Sequence, residues 1–395
     1  MSTVNATIAS PRVLVVGGGT VGQIADLLRK FGLLRPLVVS DPVMVATGLI
    51  QRVLEPLARA GIAVTVFSDT VSDPTDSVIE AGVAALHRGK FDCLVGFGGG
   101  SPIDTAKAMA ILAAGGGKMR DYKAPVAADT GALPIIAVPT TAGTGSECTR
   151  FTVVTDTEHD EKMLIAGLGA LPLAAIVDYE LTYTVPARTT ADTGVDSLTH
   201  ALEAFVSKRA NPFSDALALS AMALIGKHIR TAFAEPRNAA AREGMMLGAT
   251  QAGLAFSNSS VALVHGMSRP IGAHFHVPHG LSNAMLLPAI TRYSVPGAEA
   301  RYAEAARCIG FAEAGDADGV AAAKLLTGLE ALNKALSVPS PADYGIREAD
   351  WNNKMELMAQ QALASGSPAN NPRVPEAAEI VALYREVWTG AAANA

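Results

Sequence analysis

Asp196 and His200 stand four residues apart, and His265 and His279 follow fourteen residues apart. Residues 192–205 have the apolar spacing of a helix, so a carboxylate and an imidazole at i and i+4 share one face. Such a pair is common on ordinary helices, but it could ligate one cation. The second segment strengthens that reading: His265, His274, His276 and His279, four of the chain's eight histidines, lie between residues 265 and 279. Surface histidines do not usually gather so densely. One carboxylate oxygen with three neutral imidazoles suits Fe(II) or Zn(II), and Mn(II) or Co(II) could also bind. Four protein ligands leave room for a substrate oxygen only on an ion that accepts a fifth.

Three glycine- or hydroxyl-rich segments offer grips for phosphate. Gly17, Gly19 and Gly22 match G-x-G-x-x-G between an apolar run and a helical pattern, and Asp41 follows Gly22 by 19 residues. That is the dinucleotide fingerprint with its ribose-binding acid. Glycines at strand-to-helix turns also serve close packing, and the match alone is weak. Gly98-Gly99-Gly100-Ser101 likewise follows an apolar run and opens a helix with Pro102 in its first turn. Successive glycines there let backbone N–H groups and a helix N-terminus meet an anion, which makes this the stronger grip. Asp104 and Lys107 read as a solvated pair just beyond it. Pro139-Thr140-Thr141-Ala142-Gly143-Thr144-Gly145-Ser146-Glu147 adds hydroxyls suited to phosphate, ribose or carboxamide.

The elements that must position these groups are legible in outline. Residues 13–16, 37–39, 63–67, 93–96, 135–138 and 174–177 are short, apolar and largely β-branched, as strands buried on both faces should be. Amphipathic stretches such as 45–60 and 75–87 alternate with them, which predicts a parallel Rossmann-like sheet covered by helices. Beyond Pro186 the chain is rich in Ala, Leu and Met with no strand pattern, which predicts a helical bundle. The expected organisation is a nucleotide-binding α/β domain over 1–185 and an all-helical, metal-binding and catalytic domain over 186–395.

Composition narrows the partners. The chain has 395 residues, 49% hydrophobic and 17% charged, with a net charge of −6, which gives no basic stripe for a nucleic-acid backbone. No run reaches the ~18 apolar residues of a membrane span. The three cysteines, Cys93, Cys148 and Cys308, are sparse and odd in number, and residues 1–11 lack a signal-peptide pattern. A soluble cytoplasmic enzyme acting on small molecules is expected, with neither nucleic acid nor membrane as partner.

Taken together, these motifs resemble the iron-containing (group III) alcohol dehydrogenases over nearly the whole chain. The carriers are Gly98 to Asp104, Pro139 to Glu147, Asp196-Ser197-Leu198-Thr199-His200-Ala201-Leu202-Glu203, and the His265 to His279 segment. The resemblance implies that Asp196, His200, His265 and His279 hold one divalent metal. It implies NAD contacts from Asp41, Gly98, Gly99, Gly100, Ser101, Thr140, Thr141, Thr144, Thr149 and Lys162, with the pyrophosphate on the second glycine cluster. An acid at Asp41 would repel the 2′-phosphate of NADP. Assembly as a homodimer or larger oligomer is also implied.

Two positions depart from the family pattern. Asp73-Pro74 stands where members often carry Asn-Pro near the cofactor ribose. Arg269 stands where many carry a histidine thought to aid proton release. A guanidinium is a poor proton shuttle but a good carboxylate clamp, and a structural salt bridge is its ordinary use. His274 or His276 could then relay the proton. The expected activity is NAD-dependent interconversion of a primary alcohol and its aldehyde, with an ω-hydroxy acid such as 4-hydroxybutyrate as a narrower expectation from Arg269. A dehydroquinate-synthase-like or glycerol-dehydrogenase-like enzyme, or a non-catalytic nucleotide-binding protein, is the alternative.

Overall fold

The computed structural model describes residues 5–129, 131–159 and 161–389, which divide into two compact units meeting in sequence at Val185–Pro186. In the first unit the strands are β1 (Val13–Val16), β2 (Pro36–Val39), β3 (Thr65–Phe67), β4 (Cys93–Gly98), β5 (Ile135–Pro139), β6 (Phe151–Asp156), β7 (Glu161–Ala166) and β8 (Ala174–Val177). Six of them form one all-parallel sheet in the order β1-β8-β5-β4-β2-β3. The helices between them are α1 (Ile24–Lys30), α2 (Pro42–Ala46), α3 (Gln51–Arg59), α4 (Asp76–Arg88) and α5 (Gly100–Gly115).

Side chains alternate across the sheet, and each face has its own core. Val38, Val95, Phe97 and Ile136 pack with Leu28, Val53 and Leu57 of α1 and α3. Leu37, Val39, Leu94 and Ile135 pack with Ile79 of α4 and Met109 of α5. The covering helices therefore change face between β2 and β4, and that is where strand order reverses. In open parallel sheets the carboxyl ends of strands at such a reversal form the ligand crevice. Asp41 lies just beyond β2, and Gly98 ends β4.

Two expectations for this unit need correction. The helical pattern over 45–60 is two helices, α2 and α3, broken around Gly48, whose φ of 73° suits glycine alone. The antiparallel pair β6–β7 was not anticipated, because its strands alternate buried and half-buried residues and carry Thr, Glu and Lys among the apolar positions.

The second unit is all helix, as its composition predicts. Its helices are α6 (Ala187–Val206), α7 (Pro212–Ala234), α8 (Ala239–Ser257), α9 (Leu263–Phe275), α10 (His279–Ser294), α11 (Glu299–Ile309), α12 (Asp318–Ala335), α13 (Glu348–Ala364) and α14 (Ala377–Thr389). Its central helix is α6, buried almost without interruption from Thr190 to Val206. Gly280 sits so close to α6 that an added Cβ would lie 2.4 Å from the Asp192 carbonyl oxygen, and this absence of a side chain lets α10 start against α6. Among the described residues no helix is long and apolar enough to cross a membrane.

Candidate active site

Three helices of the second unit deliver the four residues expected to hold the metal. Asp196 and His200 sit one turn apart on α6, His265 lies in the first turn of α9, and His279 is the first residue of α10. The Oδ1 of Asp196 lies 3.5 Å from His265 Nε2 and 3.8 Å from the Nε2 atoms of both His200 and His279. Bonds of about 2.1 Å to a shared ion in tetrahedral geometry would separate ligand atoms by about 3.4 Å, so Asp196, His265 and His279 are spaced for one ion, with His200 beside them at 3.8 Å from Asp196. The ligand atoms of Asp196, His265 and His279 all lie within 4.8 Å of one another.

The surroundings prepare each donor. Burial would raise the pKa of Asp196, but the imidazoles of His200, His279 and His265 overcome that and keep it an anion. Burial drives His200 down to about 3, with neighbouring His265 and His279 adding to the effect, so its imidazole is neutral and can ligate. The His200 ring is stacked between Phe256 at 4.3 Å and His265 at 4.4 Å, and its Nδ1 has no hydrogen-bond partner. Stacking, not hydrogen bonding, orients it. For His265, burial opposes the charged form, but Asp196 and Glu203 outweigh it and raise the pKa. A cation at the site would therefore compete with a proton there.

Two buried side chains complete the centre, and neither was singled out from sequence. Glu203, on α6, accepts hydrogen bonds from the Ala262 and Val264 amides and from His265 Nδ1 at 2.7 Å. That contact fixes the tautomer of His265 and turns its Nε2 lone pair to the cluster. The signal was available: Asp196, His200 and Glu203 stand at i, i+4 and i+7 on one face. Asn283, one turn after His279, donates to Asp196 Oδ1 at 2.7 Å. Side-chain exposure is 2–6% for Asp196, His200 and His265 but 38% for His279, so the centre opens to solvent at His279.

The other expected residues on this unit divide. Arg269, one turn after His265, donates from Nη1 to Ser367 Oγ at 2.9 Å. No carboxylate lies within ion-pair distance of it among the described residues, so it is not a structural salt bridge. Burial lowers its pKa and the charge of Glu203 resists the shift. His274 is hydrogen-bonded to Gln361, and His276 is an exposed cap on α9 in the left-handed conformation at φ 55°. Neither is bonded to the ligand cluster.

In the first unit the two glycine clusters have different partners. Asp178, fully buried, accepts from the Gly19 and Val21 amides, so the first cluster's N–H groups are committed to the protein itself. The second cluster is shaped for close approach. Gly98 has a φ of 145°, and a Cβ there would meet Pro102 at 2.6 Å and Asp41 Oδ2 at 3.3 Å. A Cβ on Gly100 would meet Thr144 at 2.8 Å, and one on Gly99 would lie 3.7 Å from Thr141. Asp41, Gly98 to Ser101, Thr141 and Thr144 are thus neighbours, and the Thr140 amide donates to Gly98 O. Asp41 Oδ1 caps α2 by accepting from Met44 N. Asp73, at φ 55°, pairs with Lys162 at 2.9 Å. Asp104 and Lys107 are not a solvated pair: Lys107 is fully buried, and half-buried Asp104 accepts from Ser146 and the Val153 amide.

Comparison with known proteins identifies the family. The family model described as "Iron-containing alcohol dehydrogenase" matches residues 11–179, and "Fe-containing alcohol dehydrogenase family, C-terminal" matches residues 190–388. The chain is 35% identical over 376 residues to the NAD-dependent methanol dehydrogenase of Bacillus methanolicus, covering 95% of this chain and 98% of that protein. The crystal structure of a 1,3-propanediol oxidoreductase superposes with a TM-score of 0.93 at 34% identity, covering 97% of this chain and all of that one. The sulfoacetaldehyde reductase of Bifidobacterium kashiwanohense in complex with NAD+ superposes with a TM-score of 0.87 at 30% identity, covering 98% and 100%. This chain belongs to the iron-containing alcohol dehydrogenase family.

Proposed function

We propose that the protein interconverts a primary alcohol and its aldehyde with NAD(H), and that it favours substrates ending in a carboxylate, such as 4-hydroxybutyrate. The observation that carries the reaction class is the convergence of one carboxylate and three imidazole nitrogens, with His279 facing solvent. Asp196, His200, His265 and His279 would hold one divalent ion, and Asp41, Gly98 to Ser101, Thr140, Thr141, Thr144, Thr149 and Lys162 would hold the dinucleotide. When bound, the ion supplies Lewis acidity toward the substrate oxygen and the nicotinamide supplies the hydride exchange. The chain's own residues orient these groups. Glu203 sets the His265 tautomer, Phe256 fixes the His200 ring, and the glycines beyond β4 leave backbone amides free to approach phosphate.

The preference for an acidic tail rests on Arg269. A guanidinium that is partly buried, bound only to a serine hydroxyl and free of any carboxylate among the described residues is suited to a planar anion from outside. A reductase of sulfoacetaldehyde, itself an aldehyde with an anionic tail, is among the similar structures. Metal analysis with an NAD-reduction screen over alcohols and hydroxy acids tests the class, since a protein without bound metal or NADH formation contradicts it. For the tail, Arg269→Ala should lower kcat/KM for 4-hydroxybutyrate by about 10- to 150-fold, from the ~1.5–3 kcal/mol of a charged hydrogen bond. Butan-1-ol should change little. Equal losses on both substrates, or none, would remove the clamp.

A further inference from the structure

Arg269 has one partner among the described residues: its Nη1 donates to Ser367 Oγ at 2.9 Å. Its Nε and Nη2 are bonded to no described residue, and neither is sealed from the surface. These two N–H groups form the side-on edge of the guanidinium fork, which can take a carboxylate through two parallel bonds. The serine hydroxyl therefore ties down one corner of the fork and leaves a gripping edge open. Ser367 is itself held firmly. It is buried and opens the short turn Ser367–Asn370. In that turn Asn370 Nδ2 donates to Ser260 Oγ at 2.8 Å, and the Asn370 carbonyl accepts from the Lys208 amide at 2.8 Å. Asn371 Nδ2 donates to Ser294 Oγ at 2.9 Å. Pro368 presses on α9 within one turn of Arg269, since a Cβ added to Gly266 would lie 2.8 Å from its ring.

The chemistry of the anchor matters as much as its rigidity. A hydroxyl accepts an N–H without cancelling the guanidinium's charge, whereas a carboxylate in its place would neutralise it. The acid whose charge reaches Arg269 is Glu203, which lies beyond ion-pair distance and is committed to the Ala262 and Val264 amides and to His265 Nδ1. A guanidinium released from Ser367 would be drawn toward that carboxylate, losing its open edge and competing with His265. The geometry points to Ser367 as a positioning residue for the acid-tail preference: it pins one corner of Arg269 away from Glu203 and presents Nε and Nη2 side-on to a substrate carboxylate. This rests on the clamp reading of the preceding section. A cation held in place before the ligand arrives loses less side-chain entropy on binding, so the effect falls on substrate affinity and not on hydride transfer.

The test compares full-length Ser367→Ala, Ser367→Thr and Arg269→Ala on 4-hydroxybutyrate and butan-1-ol at saturating NAD. In Ser367→Ala the KM for 4-hydroxybutyrate should rise at least fivefold with kcat within twofold, and both constants for butan-1-ol should stay within twofold. Ser367→Thr keeps the hydroxyl and should match the parent. A second readout needs no turnover: butyrate should slow phenylglyoxal modification of Arg269, followed by peptide mass spectrometry. Ser367→Ala should need at least fivefold more butyrate than the parent for equal protection. A folded Ser367→Ala that matches the parent in both readouts overturns the proposal, and so does an equal loss on the two substrates. If Ser367→Ala does not fold, Ser367→Cys, similar in size but a weak acceptor, is held to the same criteria. Arg269→Ala separates the two levels. Acid preference kept in that variant removes the clamp and this proposal with it, whereas preference lost there but intact in Ser367→Ala overturns the positioning role alone.

Discussion

Glu203 shows how much of the expected metal centre is built by a residue that need not touch an ion. It collects two backbone amides at the start of α9 and the Nδ1 proton of His265, so one buried carboxylate both caps a helix and aims a ligand. Glu203→Gln keeps the shape but replaces one acceptor oxygen with an NH2 facing a backbone N–H. Metal affinity should fall about 10- to 100-fold, the usual cost of losing such a partner. Titration of metal-free protein with Co(II), followed by its visible absorption, measures this directly, and unchanged affinity would demote Glu203 to a helix cap. At this scale the sequence exposed the ligand types and the Arg269 departure. It did not reveal Glu203 or Asn283, because a carboxylate or amide one turn from a histidine looks like any polar residue until three helices meet around it.

Elements explain why one glycine cluster is shaped for close approach and the other is committed to packing. Both follow strands and open helical turns, and in sequence only the run of successive glycines marks the second as the stronger grip. They differ in what stands beside them. β1 is one of the sheet's two edge strands, with Asp178 after β8 capping its turn, whereas β4 ends beside β2 at the reversal of strand order. Gly98→Ala would force a Cβ into Pro102 at a φ of 145° and should cost about 1–3 kcal/mol of stability. It should also weaken NADH binding while leaving metal uptake intact; melting curves and NADH titration separate the two effects. The parallel strands were legible because burial on both faces gives β2, β4, β5 and β8 continuous apolar runs, and the less buried edge strands β1 and β3 are apolar or β-branched as well. The β6–β7 pair was not, since its half-buried faces carry polar residues, and the break between α2 and α3 depends on a single left-handed glycine.

At the scale of the whole molecule, charge decides how the fold tolerates acid. Asp156 ends β6 and is buried, which alone would raise its pKa, yet bonds from His159 and Arg120 bring it from 3.8 down to about 2. The folded carboxylate sheds its proton more readily than the unfolded one, so its stabilising contribution is complete above about pH 4 and fades as pH falls toward 2. Asp156→Asn should be less stable than the parent at pH 7, with the gap closing across that window in chemical-denaturation curves. A gap independent of pH would mean that packing, not charge, is at work there. The division at Val185–Pro186 has a wider consequence. Every expected dinucleotide contact precedes it and every expected metal ligand follows it, so coenzyme choice and ion choice can drift separately across generations. A lineage could exchange NAD for another carrier by altering only the earlier half of its gene, and leave the ion's four holders untouched.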